Sequence, residues 1–250
     1  MTRRRLVLYL AIGVAVYAGA LAATLPATFV SQALERATQE RLALRDPQGS
    51  AWSGSGRLYA RSRSGELVDL GPLRWRAQPA SLLSGKLAAE VALADAPRLT
   101  QVDLSPSSLT VHGLDVQFPG TVLASLDPAL ETLGPEGMVR IRSDKLRIDA
   151  ESVLGLADVE WRGVRLSRAQ GVEFGSHVAR LRGGGSKVGI ELGTLSGPLE
   201  LKGGGTWQRS GGFSISGSAE ARSADLATFL KTVCAEYRDS RCIFRYSRGL

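Results

Sequence analysis

The residues whose types could do chemistry are few, and their spacing argues against most of it. His112 and His177 stand apart, neither with a second imidazole at metal-ligand spacing, and two His and two Cys are too few for a zinc cluster. Ser53 and Ser55 lie in Trp52-Ser53-Gly54-Ser55-Gly56, which lacks the Gly-x-Ser-x-Gly elbow of a serine hydrolase. Gly183-Gly184-Gly185-Ser186-Lys187 invites a phosphate-loop reading, but Ser precedes Lys, Walker spacing is missing, and a strand pattern follows instead of a helix. These glycines read as hairpin loops. Carboxylates from distant strands could meet in space, yet nothing favours any pair. The expectation is a non-enzyme with no catalytic, metal or cofactor-binding residue, no cofactor and no small-molecule substrate. Cys234 and Cys242 are the one covalent option: a disulfide closing a short loop would contribute about 2–3 kcal/mol, and the alternative is two ordinary buried thiols. Arg238, Arg241, Arg245 and Arg248 around them read as a solvated basic tail.

Composition narrows the partners. The 250 residues carry a net charge of +7, but the run Arg3-Arg4-Arg5 supplies part of it and the remaining excess is spread thinly, so nucleic acid is not expected. Aromatic residues, at 6%, are too sparse for a stacking platform.

The strongest physical signal lies at the N-terminus. From Leu6 to Leu34 no side chain is charged, and Leu6–Leu25 is almost entirely Leu, Val, Ile, Ala, Gly and Tyr, with no polar face. At about 1.5 Å per residue this stretch matches the roughly 30 Å of a bilayer's hydrocarbon core. Arg3, Arg4 and Arg5 precede it, whereas Glu35 and Arg36 cancel beyond it, so the N-terminus is expected in the cytoplasm and the body outside it. A cleaved signal peptide, with Ala18, Ala20 and Ala22 near a cleavage site, puts the body on the same side, although signal cores are usually shorter.

The expected organisation is a cytoplasmic basic tail over 1–5, a transmembrane helix over 6–25, an amphipathic helix and connector over 26–46, and a β-rich body over 47–250. Val30, Ala33, Leu34 and Ala37 form the apolar stripe of the amphipathic helix. After Asp46-Pro47 the period becomes 2: Leu87, Ala89, Val91 and Leu93 alternate, as do Leu114, Val116 and Phe118. Val139 and Ile141 have opposite parity to Leu146 and Ile148, which requires a bulge or turn near Ser143-Asp144. Val159, Trp161, Val164 and Leu166 suggest a strand pair, and Gly183–Gly185, Gly197-Pro198, Gly203–Gly205 and Gly211-Gly212 punctuate a meander. Thr121–Leu133 and Ala224–Val233 fit short helices. The fold class is mainly β: an antiparallel, curved sheet with a few short helices behind a membrane helix. Trp52-Ser53-Gly54 and Trp161-Arg162-Gly163 each open a strand-rich half, about 47–135 and 136–250, a weak hint of duplication that chance recurrence in a Gly-rich chain accounts for better.

Gly49-Ser50-Ala51-Trp52-Ser53-Gly54-Ser55-Gly56, Leu73-Arg74-Trp75-Arg76, Pro79-Ala80-Ser81-Leu82-Leu83-Ser84-Gly85, Leu195-Ser196-Gly197-Pro198-Leu199-Glu200-Leu201-Lys202-Gly203-Gly204-Gly205 and the closing Gly249-Leu250, behind a basic single span, occur in an order that resembles type II secretion system protein N. The resemblance implies a periplasmic β-rich domain held at the inner membrane, a role in exporting folded periplasmic proteins, and no catalytic residues. It implies other type II secretion components and inner-membrane lipid as partners, with Trp52, Gly54, Trp75, Pro79, Gly85, Gly197, Pro198, Leu199 and Gly203 as motif framework. Exposed sheet edges would offer backbone groups to a partner strand. The rival from another class is an AsmA-like lipid-handling protein, which an anchored strand-rich domain also resembles; an open apolar trough would favour it, a core plugged near Leu126 and Leu230 a scaffold.

Overall fold

The computed structural model describes residues 24–250 except 63, 64, 95, 97, 98, 126–132, 170, 171, 209, 210, 235, 239, 249 and 250; before residue 24 it describes Tyr9, Gly13 and Gly19. Among the described residues no helix is long and apolar enough to cross a membrane. The expected span Leu6–Leu25, its flanking Arg3, Arg4 and Arg5, and Leu126 lie wholly or almost wholly outside them.

Among the described residues, one antiparallel sheet of 14 strands forms the body. Its strands are β1 (Leu42–Gly49), β2 (Ser53–Arg61), β3 (Leu67–Gln78), β4 (Leu87–Leu93), β5 (Thr100–Leu104), β6 (Ser108–Pro119), β7 (Pro135–Asp149), β8 (Val153–Leu166), β9 (Gly175–Gly185), β10 (Lys187–Ser196), β11 (Leu199–Gln208), β12 (Gly212–Ala221), β13 (Glu236–Arg238) and β14 (Arg241–Arg248). Each strand up to β12 pairs with its predecessor, and β14 then inserts between β12 and β13. Sequential pairing is what a chain of hairpins produces when each strand can bury only one face. The curved sheet runs without a break across residues 135–136, since β6 and β7 pair from Ser108↔Asp149 to Pro119↔Met138.

On the N-terminal side the amphipathic helix is where the stripe of Val30, Ala33, Leu34 and Ala37 placed it, and the connector after it is shorter than expected. Helix α1 (Thr28–Ala37) stops at Thr38, whose hydroxyl donates to the Leu34 carbonyl at 2.8 Å and accepts from the Leu42 amide at 3.2 Å. The connector therefore ends before 46: β1 begins at Leu42 and contains Asp46-Pro47, where its register with β2 shifts between Arg45 and Gln48. Pro47 is tolerated because β1 is an edge strand, where a missing N–H breaks no inner ladder.

The parity switch in β7 is a register shift against β8 between Arg142 and Leu146, so Val139, Ile141, Leu146 and Ile148 all reach one face. Val159, Trp161, Val164 and Leu166 belong to one strand, not two; β8 shifts register between Trp161 and Val164, which returns Val164 to the core. Gly203–Gly205 is not a turn but the middle of β11, and Gly183–Gly185 closes β9. A Cβ on Gly203 or Gly217, which pair across β11 and β12, would come within 3.4 Å or less of the Phe244 ring, so bare backbone on this face makes room for an aromatic from β14. Within Thr121–Leu133, Gly120–Ser125 is a 3-10 turn after Pro119, and its Val122 is buried; 126–132 lie outside the described residues.

Helix α2 (Ala224–Val233) starts at Ser223, whose Oγ accepts from the Leu226 amide at 3.4 Å, with Asp225 in the first turn. Leu226 and Leu230 are buried against Val164, Phe174, Leu199 and Ala219, and Phe229 meets Phe174 edge-to-face at 5.3 Å. Cys242, in the same cluster, is bonded to Cys234 with Cα atoms 5.8 Å apart, closing the strand pair β13–β14 onto the end of α2. A second cluster gathers Leu58, Ala60, Leu70 and Val122, and a third places Ala27, Leu44 and Trp75 together under α1.

Candidate functional site

Because side chains alternate along each strand, the register puts Leu87, Val102, Val111, Leu146, Val153, Leu181, Val188 and Ile190 on the inner face that also carries the cores. Helix α2 covers this face at one end of β8–β14 only. Toward the other end it stays half-exposed around a cavity of about 300 Å³ lined by Leu146, Val153, Leu181, Val188, Ile190 and Trp207 with their neighbours, all apolar or glycine. A larger cavity, about 840 Å³, opens beside the end of α1 over Leu58, Ala60, Leu93, Phe118 and Val122. Among the described residues, then, the helix near Leu230 plugs part of the trough and leaves part open; the other expected plug, near Leu126, lies outside them.

The charged residues lie mostly on the outer face in cross-strand pairs. Arg140 donates two hydrogen bonds across to Asp115, at 2.7 and 2.6 Å; Glu160 of β8 pairs across with Arg142 of β7 at 3.6 Å and, along its own strand, with Arg162 at 2.7 Å. His112 has a neighbour that spacing did not suggest, Asp103 at 3.7 Å; register would have found it, since Gln101 opposes His112 across the hairpin. His177 is buried, its Nε2 donating to the Phe174 carbonyl at 3.1 Å. Among the described residues no three His, Cys, Asp or Glu side chains converge as a metal site.

Several groups give the fold a pH response: Asp69, lowered by its hydrogen bond from Arg57, and Asp149, lowered by its hydrogen bond from Ser152, act in the same direction as Glu200, which is shifted furthest. Glu200 is held at about 2 by hydrogen bonds from Lys202 and Arg222, whose cations lie at 2.5 and 2.6 Å. A depressed folded-state value stabilises above the ordinary 4.5 and is lost as pH falls toward 2. Burial lowers the His177 pKa below 6.5, so the fold favours the neutral ring and loses stability once an unfolded chain can protonate. The thermal midpoint should therefore fall first below about pH 6.5 and again below about pH 4.5. Glu200→Gln should reduce the second decline in a pH series of melting curves, leaving the share carried by Asp69 and Asp149 and leaving the first decline unchanged, and salt should shrink the Glu200 effect because those partners are exposed.

The framework residues fall into two places. Gly54 lies under Trp75, where a Cβ would strike the indole ring; Trp75 is buried, at 8% exposure, and its Nε1 donates to the carbonyls of Ser50 and Ala51, both at 3.2 Å. Trp52, half-buried in the β1–β2 turn, accepts from the Ala77 amide at 2.6 Å, and Pro79 and Gly85 bracket the 3-10 turn Pro79–Ser84. Gly197, Pro198, Leu199 and Gly203 sit on the β10–β11 hairpin; Leu199 is in the core with α2. The structure thus joins Trp52, Gly54, Trp75 and Pro79 at one end of the sheet and places Gly197–Leu199 at the other. What spacing missed is the exposure of Leu82 and Leu83, which the Pro79 and Gly85 brackets signal: Pro opens a short turn and Gly85, at φ +73°, ends it.

A curved antiparallel sheet with a half-open apolar inner face and paired surface charges defines a binding or scaffolding module. Residues 40–241 match the model of type II secretion system protein N, and the chain belongs to that family, a secretion accessory component and not a known enzyme family. No curated protein and no solved structure matches it.

Proposed function

We propose that this chain is a non-enzymatic accessory component of the type II secretion machinery, anchored in the inner membrane and contributing to export of folded periplasmic proteins across the outer membrane. Residues 1–5 stay in the cytoplasm and 6–25 cross the bilayer; α1, the short connector after it and the sheet that begins at Leu42 stand in the periplasm. The observation that carries this reading is the family match over 40–241. The charge-free Leu6–Leu25 behind Arg3-Arg4-Arg5 supports the topology, and the Cys234–Cys242 pair suits an oxidising compartment. Anchoring raises the body's effective concentration for other secretion components in the membrane plane.

The sheet edges are less available to such partners than a bare meander would be. The Ser31 hydroxyl of α1 donates to the Leu44 carbonyl of β1 at 2.9 Å, Ala27 donates to Gly49, and Pro47 interrupts β1. At the other edge β13 covers β14 only from Arg241 to Ile243, which leaves Phe244–Ser247 as the stretch a partner strand could extend.

In a host bearing the machinery, deleting the gene should leave folded substrate in the periplasm, and the full chain should restore secretion. A reporter fused after Leu250 should be active as a periplasmic phosphatase and inactive as a cytoplasmic galactosidase. Undiminished secretion in the deletion strain, or the reverse reporter pattern, overturns the reading. The AsmA-like lipid reading has one observation in its favour, the apolar cavity of about 300 Å³, at the low end of the roughly 300–1,000 Å³ of ligand sites. Phospholipid retained by the purified protein, without secretion subunits among its membrane crosslinks, would favour it.

A further inference from the structure

We infer that the end of the sheet carrying the Pro79–Ser84 turn is a bilayer-docking edge, with Leu82 and Leu83 inserted into the interface of the membrane that holds the anchor. The inference rests on the proposed anchoring and concerns what that anchoring does to the body. The chain emerging from the apolar stretch joins the sheet at one identifiable place: Leu25 accepts from the Ala51 amide at 2.8 Å, and Pro26 bridges Ser50. The next residue, Trp52, accepts from Ala77 of β3, and β3 runs directly into the turn with the two leucines. Residue 25 and the turn are therefore separated by two backbone hydrogen bonds and a few residues.

At that spot Leu83 is 94% exposed and Leu82 50%, and Leu83 is the most exposed large apolar side chain among the described residues for which exposure is high. The turn holds them by design of its own hydrogen bonds, not as a loose loop. The Ser81 hydroxyl donates to the Gln78 carbonyl at 2.5 Å and accepts from the Ala88 amide at 2.9 Å, while the Ser84 hydroxyl donates to the Ser81 carbonyl at 2.7 Å. A rigid turn that spends its polar groups internally and aims adjacent leucines outward suits an apolar phase, because insertion removes their surface from water without ordering more backbone. The exposed Lys86 follows, placed for lipid phosphate, and half-buried Trp52 lies at the same end, as aromatic residues do at membrane interfaces. Glu151, in the β7–β8 turn at that end, is also exposed, so apolar insertion and not charge is the main attraction.

The test places a fluorophore sensitive to polarity on Leu83→Cys in the full chain, reconstituted in vesicles of phosphatidylethanolamine and phosphatidylglycerol. Leu195→Cys is the control: it is also apolar and exposed, at 47%, but lies at the opposite end of the sheet, near the close of β10. Docking predicts a blue-shifted label at 83, quenched several-fold more strongly by a lipid-borne spin label than the label at 195. With the label moved to Ala80→Cys, exposed on the same turn and outside its hydrogen bonds, adding Leu82→Glu and Leu83→Glu should abolish the shift while the chain still resists carbonate extraction. If both labels stay aqueous in a carbonate-resistant chain, docking is wrong and anchoring stands. A shift at 83 without lipid quenching means a protein contact and overturns the inference. Release by carbonate overturns the anchoring, and the docking with it.

Discussion

Replacing Trp75 by alanine should destabilise the protein by about 3–5 kcal/mol, measured as a fall in the denaturant midpoint at unchanged slope. The indole is buried beside Ala27 and Leu44, with Val30, Leu34, Leu73 and Val91 packed around the same cluster. Its Nε1 also closes the turn between β1 and β2 through the Ser50 and Ala51 carbonyls. That turn is where Leu25 and Pro26 are fastened, so the substitution should cost more than a cavity: amides of α1 should exchange faster with solvent than those of α2, whose core is separate. Trp75→Phe tests the division, since it keeps most of the ring and loses the bonds; about 1–2 kcal/mol is expected. An alanine variant as stable as the parent would mean that α1 and the turn are held by something other than this ring.

The same ring shows where sequence reading succeeds and where it stops. Trp52, Gly54, Trp75 and Pro79 are recognisable as one succession along the chain, but only the strand register reveals that Gly54 is bare because Trp75 lies across it. Alternating strands such as β4 and the parity switch of β7 were legible because each needs its apolar residues on one face. Helix α2 was legible from Leu226, Phe229, Leu230 and Val233, which recur at helical spacing. Glycine runs misled, because the residue that marks turns also lets Phe244 lie against β11 and β12, and nothing local distinguishes those uses. Pro47 misled for the opposite reason: it punctuates most strands, yet an edge strand with a register shift can carry it. The Leu82-Leu83 pair looks like core by composition, and its exposure follows only from the tight bracket of Pro79 and Gly85.

The hairpin between β10 and β11 supplies the sharper test of whether the motif residues are framework or contact surface. Gly197 has φ +110°, and a Cβ there would strike the Cα of Gly175, while a Cβ on Gly175 would strike the Ser196 carbonyl. The two backbones therefore touch where β10 shifts register against β9, between Thr194 and Ser196. Gly197→Ala has to move one strand and adopt a backbone conformation that side chains rarely take, for an expected loss of about 2–3 kcal/mol. Gly193→Ala, four residues earlier and inside β10, is the control: its nearest neighbour would be a Val178 methyl at 3.7 Å, and it should be neutral or slightly stabilising. Thermal unfolding of the two variants decides the matter. Leu199, two residues on, is buried with Leu226 and Leu230, so strain at Gly197 should also loosen α2 and raise its amide exchange. If Gly197→Ala folds as stably as the parent yet abolishes secretion, the hairpin touches a partner; if stability and secretion fall together, these glycines serve the sheet.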